Sequence, residues 1–335
     1  MIRFAAEKLG LSLVTLWGVA TLVFFLFTVV PGDSAQMMLG KRDDPAALAA
    51  VKAKYGLDQP LLVQYGRYLR RISPLDWDQG PVVKAPDFGE SYQRQGQQVS
   101  YLIGATFPNT ALLASVAIGF AVVVGMLLGV FAAYSEGSWL DKALLGFSSL
   151  GMSLPSFFTA VLFAWIFAYL LGPWTGLHLT GSLFEVDDYT GERYFQLKNL
   201  ILPAFTLGIR PIGVVVQLTR QSVLEAQGLD FVRTARAKGL PERKVLLRHI
   251  LPVISNPIIT TISGWFASLL AGAVFVEIIF GWNGMGKLLV EALNTRDLPV
   301  TMGCVLVIAF VFVLLTTLVD VIYALLDPRV RAEFF

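Results

Sequence analysis

The sequence predicts an all-α polytopic membrane protein with six transmembrane helices. Two observations carry this. The chain has 335 residues, of which 55% are hydrophobic and only 15% charged. Its apolar residues also fall in long uncharged runs, not in the periodic scatter of a soluble core. About 20 apolar helical residues cross the hydrocarbon layer, and each run is long enough to do so.

The first run, Leu9 to Val30, contains no Asp, Glu, Lys or Arg. It is too long for the apolar region of a usual signal peptide, and Pro31-Gly32-Asp33 is no small-residue cleavage site, so it reads as a retained anchor. Residues 1–30 are therefore a short tail and the first span. Residues 31–109 form an extracytoplasmic insertion with its own structure. Asp44-Pro45 is a cap and first-turn pair, Ala46 to Tyr55 is helix-forming, and Gly56 ends that helix. Gln64 to Ile72 reads as a second short helix. Pro74 to Gly96 is rich in Pro, Gly, Asp and Gln and reads as loop.

Residues 110–335 make the core. Ala111 to Tyr134 is the second span and Ala143 to Gly172 the third; Pro155 kinks or splits the latter. Residues 173–198 are a polar outside loop carrying Asp187, Asp188, Glu192 and Arg193. Three further spans hold one charge each: Asn199 to Thr219 (Arg210), Pro257 to Gly281 (Glu277) and Val300 to Leu326 (Asp320). The loop 282–299 is amphipathic around Lys287 to Leu293, which suits the outer interface. Gly119, Gly125, Gly129, Gly146 and Gly151 suit close packing of spans.

Charge sets the orientation. With the N-terminus inside, the short inner segments hold twelve basic residues: Arg3, Lys8, Lys142, Arg220, Arg233, Arg236, Lys238, Arg243, Lys244, Arg248, Arg329 and Arg331. The short outer loops hold four: Arg193, Lys198, Lys287 and Arg296. Both termini are thus expected in the cytoplasm. The net charge of +2 gives no reason to expect nucleic acid. Cys304 is the sole cysteine, so no intrachain disulfide forms. His178 and His249 fall on opposite sides of the membrane, so no metal site is expected. No Ser/His/Asp or paired-carboxylate site is recognisable.

The inner segment 220–251 reads as two short helices broken at Gly239-Leu240-Pro241. It is basic, with Phe231, Val232 and Leu246 as apolar surface. Such a segment suits a cytoplasmic protein groove, or equally an interfacial position with its basic residues on lipid headgroups. Arg210, nearest a span centre and flanked by Gly208 and Pro211, should face protein or water. It reads either as a translocation-path residue that meets a carboxylate or as an intersubunit structural pair. Glu277 and Asp320, near span ends, read as interfacial caps or helix-helix pairs. Gly281-Trp282-Asn283-Gly284-Met285-Gly286-Lys287 spells a phosphate-binding loop, but Leu288 replaces the Ser or Thr that would hold magnesium. It also follows an apolar span, so a glycine-hinged entry into a short outer helix is the better reading.

Arg233-Thr234-Ala235-Arg236-Ala237-Lys238-Gly239, then nine residues to His249, then Leu251-Pro252, resembles the EAA loop of ABC-importer membrane subunits. Arg233 stands where that pattern has Glu, and His249 where it has Ile. These departures resemble the dipeptide, oligopeptide and nickel permease branch. Pro31-Gly32-Asp33, Gly56-Leu57-Asp58-Gln59-Pro60, Asp87-Phe88-Gly89-Glu90-Ser91, Glu277-Ile278-Ile279-Phe280-Gly281-Trp282, Gly284-Met285-Gly286 and Asp327-Pro328-Arg329 look like the same branch. The resemblance implies a six-span subunit of the type I importer fold in the inner membrane, paired with a homologous second permease. It also implies two ATPase subunits and an extracytoplasmic solute-binding protein. Arg233, Thr234, Ala235, Arg236, Ala237, Lys238, Gly239, Leu240, Arg248 and His249 would then form the ATPase-coupling surface. Glu277, Trp282, Gly284 and Gly286 would shape a periplasmic gate. ATP and magnesium would sit in the partner ATPases, with no cofactor or covalent chemistry in this chain. The expected function is alternating-access import of peptides or a related solute such as a nickel chelate. The competing classes are an ion-gradient-driven carrier or channel, which predicts paired charges at the midplane, and an intramembrane enzyme, for which no nucleophile–base pair can be named.

Overall fold

The computed structural model describes residues 2–29, 44–76, 82–94, 96–186 and 190–326. Pro31-Gly32-Asp33, Asp187, Asp188, Asp327-Pro328-Arg329 and Arg331 lie outside the described residues. The chain divides into two compact units, one of Met1–Pro108 with Lys287–Leu314 and one of Asn109–Gly286 with Leu315–Phe335.

In the first unit, α1 (Ile2–Val29) is the first span. Next come α2 (Pro45–Tyr55) and α3 (Leu61–Ile72). Asp44 caps α2 by accepting from the Ala46 N–H at 3.0 Å, and Gly56 closes it at φ 67°. The helix expected from Gln64 begins at Leu61, behind Pro60. The expected loop that follows contains a two-residue antiparallel pair, β1 (Leu75–Asp76) with β2 (Val82–Val83). Thr21 Oγ1 and Tyr65 Oη are 2.6 Å apart, and Phe24 packs on Tyr65 and Tyr68, which fixes α3 to α1.

The DFGES stretch has a structural task. The buried Asp297 carboxylate accepts from the Ser91 hydroxyl and from the Tyr92 and Gln93 N–H groups. It thereby ties this stretch to the start of the last long helix, Leu298–Leu326.

The second unit is built on α5 (Lys198–Gln227), most of which is buried, with α4 (Val99–Tyr134) and a broken pair against it. The pair is Trp139–Ser153 and Ser156–Leu170, bent by 109° at Leu154-Pro155. The residue before a proline is driven out of the helical region, so the run splits where Pro155 stands. Five helices are long and apolar enough to cross a membrane, and the broken pair counted as one span gives six.

Close approach rests on glycines, though not on all those expected. A Cβ at Gly129 would lie 2.6 Å from Thr219 Cβ, and one at Gly125 would lie 2.7 Å from Val215 Cβ. Gly151 meets Ile209 at ordinary contact distance, whereas Gly119 and Gly146 have nothing within 4 Å. On the α5 side, Gly208 and Gly213 supply close contacts to Ala117 and Ser148. The polar loop 173–198 contains a hairpin of Phe184–Val186 with Arg193–Phe195.

Candidate coupling surface and candidate gate

Two places in the second unit gather the residues singled out by sequence. The first follows α5. A short helix, α6 (Asp230–Ala237), leads through Gly239 to a second turn, α7 (Glu242–Val245), and then a wide π-helical turn, Leu246–Ile250. Gly239 sits at φ 77°, a conformation costly for other residues, and Pro241 opens the next helix in extended geometry. The break expected at Gly239-Leu240-Pro241 is thus present.

Anchoring is apolar. Val232, Ala235, Val245 and Ile250 are buried in one cluster with Ala133, Val223, Ile254 and Ile258. Ala235 therefore holds the segment to the spans and presents nothing outward. Leu240 and His249 are half-buried. Arg233, Thr234, Arg236, Ala237, Lys238, Gly239 and Arg248 are exposed.

A clasp bridges the turn. Arg236 Nε donates to Glu242 Oε1 at 2.7 Å and Nη2 to Oε2 at 3.1 Å. The bidentate fork fixes the angle between the two short helices. The Glu242 hydrogen bond raises the Arg236 guanidinium above its usual pKa, against the opposing effect of burial. Behind the segment, buried Asp141 takes two hydrogen bonds from Arg220, at 2.6 and 2.8 Å, and one from the Gly137 N–H. The sequence offered no signal for this pair, because the partners are far apart along the chain. The result is a basic, amphipathic surface over a buried apolar base.

The second place is the end of the fifth span. The helix Leu251–Gly272 stops, and α8 (Val274–Ile279) follows. Glu277 is fully buried. Of the two readings for a charge near a span end, this is the helix-helix pair: Glu277 Oε1 accepts from Thr110 Oγ1 of α4 at 2.6 Å. Thr110 Oγ1 in turn accepts from the Met285 N–H at 2.8 Å. Trp282 is buried and its Nε1 donates to the Asn109 carbonyl at 3.1 Å, while Asn109 Nδ2 donates to the Asn283 carbonyl at 2.8 Å.

A Cβ at Gly284 would collide with the Glu277 carboxylate, and one at Gly286 would lie 2.8 Å from Val274 Cα. The glycines of the phosphate-loop look-alike therefore close around the chain's own carboxylate, which occupies the place an anion would need. Glu277, Trp282, Gly284 and Gly286 are brought together, with Thr110 and Asn109 as members that sequence reasoning did not find.

Arg210 stands apart from both. It is exposed, and its guanidinium lies over the Trp265 ring at 5.8 Å from the centroid. Among the described residues no carboxylate pairs with it. The helix runs unbroken through Gly208 and Pro211. Arg210, Val214, Gln217 and Gln221 follow at helical steps and so share one face of α5. Gln217 reaches Ser149 Oγ at 3.4 Å. His178 pairs with Asn199, and no cluster of three metal-ligating side chains occurs among the described residues.

Five or six apolar spans around a buried carboxylate, with a basic segment between two of them, define a helical polytopic membrane protein. Comparison with known proteins gives the particular family. Residues 125–332 match the model of the binding-protein-dependent transport system inner membrane component, and residues 1–114 match its N-terminal companion. The chain belongs to this family, the membrane permease subunits of ATP-binding-cassette importers. It is 36% identical to the di/tripeptide transport system permease protein DppB of Pseudomonas aeruginosa (strain UCBPP-PA14), covering 99% of this chain and 100% of that one. It is 31% identical to the dipeptide transport system permease protein DppB of Alkalihalophilus pseudofirmus, with 99% and 100% covered. Among solved structures, an inward-facing MetNI methionine ABC transporter chain superposes with a TM-score of 0.53 at 15% identity, over 68% of this chain and 97% of that chain. That likeness carries the fold alone.

Proposed function

We propose that this chain forms half of a peptide-import pathway in the bacterial inner membrane, with both termini cytoplasmic. It pairs with a homologous second permease. Of two ATPase subunits that dock from the cytoplasm, one meets Arg233 to Arg248 of this chain, and an extracytoplasmic binding protein delivers solute on the other side. ATP and magnesium belong to the ATPases, and this chain performs no covalent chemistry. The observation that carries the coupling role is the Gly239 turn, clasped by Arg236 and Glu242 over a buried apolar base. A surface so held transmits a push as a rigid body, whereas a basic segment resting on headgroups needs no such base.

Glu277, Trp282, Gly284 and Gly286 act as a gate hinge built around the buried carboxylate. Arg210, with Gln217 and Gln221, lines the path. An exposed cation stacked on an indole attracts a peptide carboxylate without trapping it. The peptide class is supported by the names of full-length relatives at 31–36% identity.

The test is dipeptide uptake into proteoliposomes holding the four-subunit complex. Uptake should require internal ATP and external binding protein. Uptake driven by a proton or sodium gradient without ATP would replace this reading with a secondary carrier.

A further inference from the structure

The two halves of the third span are held in different ways. The first half, Trp139–Ser153, lies along α5 and is fixed to it by close and polar contacts. Gly151 stands against Ile209, and a Cβ at Gly213 of α5 would lie 2.6 Å from the Ser148 carbonyl oxygen. Gln217 Nε2 donates to Ser149 Oγ at 3.4 Å. Towards α6 the row ends in an ion pair. Arg220 Nε donates to Asp141 Oδ1 at 2.6 Å and Nη2 to Oδ2 at 2.8 Å, and the Gly137 N–H donates to Oδ2 at 3.0 Å. Asp141 is 2% exposed, so these bonds form out of water.

Packing alone does not call for such a pair. Well-packed apolar side chains of similar volume often hold a core as firmly as two buried charges do, because the charges must be desolvated. What the fork adds is direction: it accepts one angle and one register, whereas apolar side chains can slip. Arg220 stands just before Val223 and Ala226, which are buried with Val232, Ala235 and Val245 in the cluster under α6 and α7. The register that the fork fixes is therefore that of the third span against the base of the coupling segment.

The second half, Ser156–Leu170, departs at 109° from Leu154, which is extended at φ −76° and ψ 134° before Pro155. Its contacts are between rings. Phe157 lies 6.2 Å from Phe275 of α8, the short helix that carries Glu277, and Phe163 lies 5.0 Å from Phe205 of α5, centroid to centroid. Packed apolar surfaces of this kind can shear, and a few residues at an element's end suffice for a hinge.

We propose that Asp141 and Arg220 are positioning residues for energy coupling. Their fork makes the first half of the third span one body with the coupling segment. The second half, hinged at Leu154-Pro155, carries the movement to α8 and Glu277. The inference rests on reading Arg233 to Arg248 as the ATPase contact, and it adds the route by which movement leaves that segment.

Spin-label pairs test the route in the four-subunit complex, in a Cys304→Ser background with cysteine-free partners. Lys142, Tyr169 and Lys238 are exposed and accept labels. The Lys142→Cys and Lys238→Cys pair should give one narrow distance, equal without nucleotide and with a non-hydrolysable ATP analogue. The Lys142→Cys and Tyr169→Cys pair should shift between those two states. A first distance that shifts as much as the second, or a second that stays constant, would overturn the proposal. Neither distance needs a solute, so failure of the import reading shows separately, as absent ATP-dependent uptake.

The double variant Asp141→Leu/Arg220→Met replaces the fork with apolar packing and should melt no lower than the parent. Loss of the charge-assisted fork should shift the balance between keyed and slipped arrangements about tenfold. The Lys142–Lys238 distances should broaden, and the ATP hydrolysed per dipeptide imported should rise several-fold. Arg220→Lys, which keeps the charge without the fork, should fall between, and it carries the same comparison if the double variant does not assemble. An unchanged ratio of ATP to dipeptide in a variant that melts like the parent would leave the pair no positioning role. Failure of both variants to assemble would make it a structural tie, which also overturns the proposal.

Discussion

Thr110→Val is the sharpest perturbation of the proposed gate. The substitution keeps the shape of the side chain and deletes one oxygen. That oxygen donates to Glu277 Oε1 at 2.6 Å and accepts from the Met285 N–H at 2.8 Å, and all three groups lie out of water. Leaving a buried polar group without its partner costs about 1–3 kcal/mol. Glu277 retains a further interaction, so the two losses together should come to about 2–4 kcal/mol. For a chain of 335 residues that corresponds to a melting shift of roughly 3–6 °C. Thr110→Ser keeps the oxygen and loses a methyl group, a loss of about 1 kcal/mol. The assay is thermal unfolding of the detergent-purified complex, followed by intrinsic tryptophan fluorescence, with uptake measured on the same preparations. Valine should melt well below serine and transport less. If valine melts with or above serine, the hydroxyl bridge does not hold the loop, and the account of Glu277 is wrong.

Other expectations follow from single residues. Gly239→Val must place a β-branched residue at φ 77°, a strain of about 1–2 kcal/mol, and should lose solute-stimulated ATP hydrolysis while still inserting; Gly239→Asn, which tolerates that conformation, should keep most of it. Equal stimulation in the valine variant and the parent would remove the turn from coupling. Arg210→Gln should lower uptake with assembly intact, and Arg210→Lys should be milder; reduced recovery of the complex would make Arg210 an intersubunit structural residue instead. Asp87 gives a pH signature. Burial pushes its carboxyl up, but Arg71, the Gly89 N–H and Lys84 together hold it below the usual range. A lowered folded pKa gives stabilisation that is full above the unfolded value of about 3.9 and is lost as pH falls through the folded value. The melting difference between parent and Asp87→Asn should therefore be largest near neutrality and close as pH drops below 4; a constant difference down to pH about 3 would refute it.

What the sequence made legible was local chemistry. The Asp44 cap, the Gly56 stop, the split at Pro155 and the break at Gly239 each depend on a few adjacent residues, and each is present. Glu277, Trp282, Gly284 and Gly286 stand out in the sequence, but the reason they come together does not. It lies in Thr110, which is 167 residues from Glu277 along the chain and carries no signal of its own. The same holds for Ser91 with Asp297 and for Asp141 with Arg220. Partners so distant are fixed by how helices pack, which a periodic pattern does not encode. Glycine counting failed for that reason too. Gly119 and Gly146 look like Gly125 and Gly129 in sequence, but only the latter two face α5.

The claim that matters most is that the surface around Gly239 meets the ATPase. A single cysteine is placed at Lys238, which is exposed, in a Cys304→Ser background, and the complex with cysteine-bearing ATPase subunits is oxidised in membranes. A matching cysteine at Asn294, in the short outer helix, serves as the comparison. The account predicts that Lys238→Cys forms a disulfide-linked product with the ATPase and that Asn294→Cys does not. A cross-link from Asn294→Cys, with none from Lys238→Cys, would contradict both the coupling surface and the orientation of the chain.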